Sequence, residues 1–149
     1  MPLTLVKLAV VKKAENRALG KSGRDDNLIY DQIWCVFDVD EHPDIPVAKD
    51  LARANDIRLV ISNPCIELWL LVHHREPPGS YDRHKIQEML KEYVPGYDKG
   101  VNFADYKPGY PKAVKRAKQM AQAQVRAGTP GENPTTNFHE LTELIAGSA

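Results

Sequence analysis

Two carboxylates, Asp38 and Asp40, stand two residues apart at the end of the apolar run Ile33-Trp34-Cys35-Val36-Phe37. In extended backbone, alternate side chains leave the same face about 7 Å apart along the strand. Hard oxygen donors so placed suit Mg2+ or Mn2+, which keep several waters and bridge to phosphate oxygens. Two carboxylates this close also repel, and a divalent cation relieves the repulsion. The competing reading assigns one Asp to capping the next helix and the other to a turn. Glu41 and His42 extend the polar cluster, either as outer groups of a site or as surface loop residues.

A second carboxylate, Glu67, lies in Cys65-Ile66-Glu67-Leu68-Trp69-Leu70-Leu71-Val72, a segment apolar on every side. An ionised carboxylate buried there costs several kcal/mol unless it is paired or metal-bound. Two readings stand: a site residue, or a structural carboxylate accepting from backbone N–H groups or Trp69. His73 and His74 close the segment, where imidazoles interact favourably with a helix C-terminus and are also candidates for acid–base work. No Cys/His set has zinc-site spacing.

Positive charge gathers late, at Lys99, Lys107, Lys112, Lys115, Arg116, Lys118 and Arg126, with Tyr97, Phe103, Tyr106 and Tyr110 interleaved. Lys112, Lys115 and Arg116 share a helix face by spacing. Such a face suits a phosphate backbone, or is a solvated helix surface. There is no Gly-rich phosphate loop, nucleophile elbow or dinucleotide fingerprint. Metal-assisted phosphodiester hydrolysis needs no protein nucleophile, because the ion activates water and stabilises the leaving oxygen.

These residues need a scaffold, and 149 residues are enough for one domain with its own core. Lys plus Arg equals Asp plus Glu at 20 each, so any electrostatic footprint comes from distribution rather than from net charge. Cys35 and Cys65 sit in apolar runs, as buried free thiols of a reducing compartment do. No targeting or membrane-spanning segment is recognisable, which predicts a cytoplasmic protein with no membrane partner.

The spacing of apolar residues predicts a helix over 3–17 ending near Gly20, and a polar loop from Gly20 to Leu28. Ile29 to Val39 reads as a strand covered on both faces, hence central in a parallel sheet. Asp44 is placed to cap a helix over 45–55, and Ile57 to Ile61 forms the next strand of a βαβ unit. Pro64 then opens a helix capped by Asn63. After Pro77-Pro78-Gly79, helices follow at 81–93, 111–126 and 138–146, separated by turn-rich 94–110 and by a loop over 129–136. The expected architecture is an α/β core over 1–76, with a mostly parallel sheet flanked by helices, and a helical half over 77–149 of the same domain.

The runs Trp34-Cys35-Val36-Phe37-Asp38-Val39-Asp40 and Ile61-Ser62-Asn63-Pro64-Cys65-Ile66-Glu67-Leu68-Trp69-Leu70-Leu71-Val72-His73 together resemble the RloB-like family. Asn133-Pro134-Thr135-Thr136-Asn137 resembles that family's ending, and the likeness extends over roughly residues 29–145. It implies a TOPRIM-type α/β fold and a bacterial role in anti-phage defence and abortive infection, often beside a partner ATPase. It implies Mg2+ at Asp38 and Asp40, and matches Glu67 and His73 to the family's downstream signature and Lys107 to its Tyr-x-Lys element. TOPRIM proteins also carry a glutamate motif after a first strand. This chain is expected to start beyond it, with Glu15 no substitute, leaving a sheet edge that invites a homo-oligomer or a partner. Two functions follow: a Mg2+- or Mn2+-dependent nuclease acting on DNA or RNA, or a non-catalytic nucleic-acid- or partner-binding module that keeps the fold.

Overall fold

The computed structural model describes residues 1–21, 30–39 and 43–147. The elements, in chain order, are α1 (Pro2–Lys21), β1 (Trp34–Asp38), α2 (Ile45–Ala54), β2 (Arg58–Asn63), α3 (Glu67–Leu71), α4 (Arg83–Tyr93), α5 (Phe103–Tyr106), α6 (Tyr110–Arg126), β3 (Thr135–Thr136) and α7 (Phe138–Gly147). The chain divides into two compact units, one comprising Met1–Phe37 with Glu41–Val60, the other Asp38–Asp40 with Ile61–Ala149.

The first unit is held by a small apolar core. Val6 and Ala9 of α1, Cys35 of β1, Ala48 and Ala52 of α2, and Ile57 are all buried, with Leu3, Leu5 and Leu51 packed against them. Alanines at positions 48 and 52 let α2 approach closely, because four-residue spacing puts both on one face. Asp44 precedes α2, yet its side chain makes no capping bond there; Oδ2 instead accepts the N–H of Leu3 at 3.2 Å. That exchange satisfies one of the orphan donors at the start of α1.

The second unit has the larger core. Leu68, Leu71 and Val72 from and beside α3 are fully buried, together with Ile86 and Leu90 of α4 and Ala113 and Ala117 of α6. Trp69 stacks on Phe138 of α7 with ring centroids 5.9 Å apart. α4 begins at Asp82, whose side chain accepts from Lys85 N–H, a standard N-cap.

The three strands lie in the order β1-β2-β3. β1 and β2 run the same way, since Arg58 N–H meets the Ile33 carbonyl at 3.0 Å and Val39 N–H meets that of Ser62 at 2.9 Å. β3 runs against β2, pairing Ser62 with Thr136 and Asn63 with Thr135. The sheet is therefore mixed rather than mostly parallel. The segment expected as loop over 129–136 supplies this third strand, fastened by a buried Ser62–Thr136 hydroxyl pair at 2.8 Å and by Asn137 Oδ1 accepting Ile61 N–H at 2.7 Å.

Two further expectations are corrected. β1 is shorter than the run from 29 to 39, and Val36 is 40% exposed, so the strand is not covered on both faces. The helix expected from Pro64 starts at Glu67, with Ile66 rather than Asn63 at its N-cap position. Asn63 is instead the last residue of β2, and its amide donates to the Gly131 carbonyl at 3.0 Å.

Candidate functional site

Asp38 ends β1, and its Oδ1 accepts the N–H of Ile66 at 2.8 Å. Ile66 carries no side-chain cap of its own, so a carboxylate from 28 positions upstream occupies that role. Charge-assisted bonds of this kind are among the stronger ones. The capping role that the sequence left open for one Asp is thus filled by Asp38, on α3 rather than on the helix that follows it directly. Asp40, Glu41 and His42 lie outside the described residues.

Glu67, the first residue of α3, is fully buried. Its Oε1 accepts from Gln87 Nε2 and from the Tyr97 hydroxyl, each at 3.2 Å, and pairs closely with the Lys99 ammonium. Oε2 has no hydrogen-bond partner among the described residues. Burial opposes the charge, but the Lys99 ammonium on Oε1 outweighs it and holds the carboxyl below its ordinary range. Lys99 reaches Glu67 from a left-handed backbone conformation, φ 82°, that side-chain-bearing residues seldom adopt.

Cys65 links the two acids electrostatically. Its thiol pKa is pushed up to about 12, first by burial, then by the charge and hydrogen bond of Glu67 and the charge of Asp38. It is a structural thiol without nucleophilic character at neutral pH. Tyr97 is raised as well, by burial and then by Glu67, so its hydroxyl stays a donor.

His73 is buried behind α3, with Nδ1 against the Trp69 carbonyl at 2.8 Å; a carbonyl only accepts, so Nδ1 carries the proton. Burial holds this imidazole below its ordinary pKa, against the opposing pull of that bond. The ring sits edge-on to Trp69 and Tyr106, with centroids 4.7 and 5.5 Å away. His74 stacks on Tyr93 at 5.5 Å, and burial lowers its pKa too.

The basic residues separate by environment. Lys107, Lys112 and Lys115 are exposed, with Lys107 Nζ 5.8 Å from the centre of the Phe103 ring. Arg116 is tucked in, its side chain 13% exposed, donating to the Val72 carbonyl at 2.8 Å and to Glu76 at 3.2 Å. It satisfies an open carbonyl at the end of α3, as basic residues near helix C-termini do.

Lys99 is the residue that spacing did not single out. It counted only as one cation of a basic stretch, although a buried acid at Glu67 requires a cation, and a lysine between Gly96 and Gly100 has the backbone latitude to arrive there.

Among the described residues, no three His, Cys, Asp or Glu side chains are arranged to hold a metal ion. Mg2+ does not require such a cage: one or two carboxylates with waters and substrate phosphates are its usual shell. Oxygen donors at Asp38, with Asp40 two residues on in the sequence, and Glu67 Oε2, which lacks a hydrogen-bond partner among the described residues, match that chemistry.

No curated protein and no solved structure matches the chain. A family model described as RloB-like protein matches residues 2–145, nearly the whole chain and further towards the N-terminus than the recognisable motifs. The chain belongs to the RloB-like protein family.

Proposed function

We propose that this protein is a divalent-metal-dependent phosphodiesterase of nucleic acids with a TOPRIM-like core, acting in anti-phage defence. The observation that carries the reading is the position of Asp38, at the carboxyl end of β1 and accepting the N–H of Ile66, the residue before the buried Glu67. Ligands of α/β sheets gather at that end of the strands. Asp38 and Asp40 would hold a Mg2+ or Mn2+ ion, which when bound would polarise the phosphodiester and offset the charge that builds on it. Glu67, with Lys99, Gln87 and Tyr97 all on Oε1 and with Oε2 lacking a hydrogen-bond partner among the described residues, is a buried hydrogen-bond acceptor for an ordered water beside Asp38's cap. Lys107, Lys112 and Lys115 are the exposed cations available to a phosphate backbone.

A second reading, a binding module without turnover, draws on a different observation. Asp38, Glu67 and Arg116 each make bonds that the fold itself uses. Both readings accommodate a partner ATPase or self-association. They part on one experiment: purified protein with Mn2+ and labelled DNA or RNA, alongside Asp38→Asn and Asp40→Asn. Metal-dependent cleavage by the parent and none by either variant supports the enzyme; binding without cleavage by all three supports the module.

A further inference from the structure

The first unit contains a cavity of about 300 Å3 that the chemistry around Asp38 does not use. Its wall includes Lys13, Arg17, Tyr30, Asp56 and Arg58. The wall is pinned on several sides. Lys13 Nζ donates to the carbonyls of Asn55 at 2.6 Å and Asp56 at 3.1 Å, tying α1 to the end of α2. Asn16, also in the lining, accepts Tyr30 N–H at 2.7 Å and holds the segment before β1 against α1.

Two guanidinium groups and the carboxylates of Asp31 and Asp56 remain, with Asp56 beside the Lys13 ammonium at 3.9 Å. Arg17 and Arg58 are exposed, and among the described residues neither has a carboxylate partner. Arg58 lies over the Trp34 ring at 4.7 Å, which orients the fork while leaving its N–H donors open. Guanidinium forks match tetrahedral oxyanions bidentately. The cavity exceeds what a bare anion needs and reaches the size range of small-molecule sites, from about 300 Å3 upwards. Tyr30, 60% exposed at its rim, offers a flat face on which a base stacks.

We propose that this cavity binds a nucleoside phosphate, with Arg17 and Arg58 gripping the phosphate and Tyr30 stacking on the base. The ligand is either a free nucleotide or the phosphorylated end of a strand, and both present the same group. The site stands or falls separately from the metal-dependent chemistry, since it uses none of those residues.

The test is calorimetric titration of the full chain, without added metal, with adenosine monophosphate, adenosine and a 5′-phosphorylated dinucleotide. The phosphate-bearing probes bind and adenosine does not; whichever binds tighter identifies the source. Arg17→Ala and Arg58→Ala each weaken binding by about tenfold or more, the usual worth of a charge-assisted contact. Arg17→Gln, which keeps the stem, loses the same affinity, and Lys91→Ala, an exposed cation of α4, keeps it. Equal binding of adenosine, unchanged affinity in the arginine variants, or an equal loss in Lys91→Ala overturns the proposal.

Discussion

Removing the ammonium of Lys99 probes the buried centre of the second unit. Glu67 is 0% exposed at its side chain, whereas Lys99 is 59% exposed, so only one end of the pair is desolvated. Stripping the partner from a buried charge costs about 3–5 kcal/mol when both ends are dry. Solvent around Lys99 screens the pair, and Gln87 and Tyr97 still donate to Oε1, so the expected cost of Lys99→Ala falls to about 1–3 kcal/mol. For a chain this size that lowers the melting temperature by about 3–9 °C. Alanine, rather than glycine, keeps a Cβ at φ 82°, so the loss reports the ammonium and not relief of the backbone.

The pH dependence fixes the cause. In the parent protein the folded-state pKa of Glu67 lies below its unfolded value. Its stabilisation is therefore present at neutral pH and is lost as pH falls through the folded value. In Lys99→Ala, desolvation dominates and lifts the folded pKa of Glu67, so the penalty is full at neutral pH and vanishes once the acid is protonated. Thermal melts from pH 7 to pH 4 should show the gap between parent and variant closing on acidification. A gap that is absent at pH 7, or that widens towards acid, refutes the reasoning.

Arg116→Ala removes the donor to the Val72 carbonyl and is expected to cost about 1–2 kcal/mol. Glu76→Ala removes only the exposed end of its ion pair and should cost under about 0.5 kcal/mol, as paired denaturant melts will show. Gly109 has no room for a side chain, because a Cβ built there overlaps the carbonyl of His73. Gly109→Ala must displace backbone and should destabilise by about 2–4 kcal/mol, read by the same melts; a neutral result would mean that the turn before α6 yields freely.

The elements marked by a long apolar stretch were legible in the sequence. The β-branched and aromatic run gave β1, the apolar residues of 3–17 gave α1, and the helix expected over 81–93 is α4, with Asp82 as its cap seen only in the structure. Failures fall where a distant partner overrides a local rule. Asn63 looks like a cap for the helix behind Pro64, but β3 captures Asn63 into the sheet and Asp38 takes over the first free N–H. β3 itself is two residues long, too short to carry any alternation. The oddity of Glu67 was visible from its apolar setting, while its partners, 20 to 32 positions downstream, were not. Helical spacing grouped Arg116 with Lys112 and Lys115 but could not show its bonds to the Val72 carbonyl and Glu76.

The central claim is that Asp38 serves a divalent cation as well as α3. Asn at position 38 keeps an oxygen that accepts Ile66 N–H, so Asp38→Asn removes charge while sparing the cap. Titration of Mn2+ into the parent and into this variant, with matched thermal melts, tests the claim directly. Saturable binding by the parent, lost in a variant that melts within about 2 °C of it, is the expected result, since a capping bond retained costs little. Binding of Mn2+ by Asp38→Asn as tightly as by the parent would contradict it.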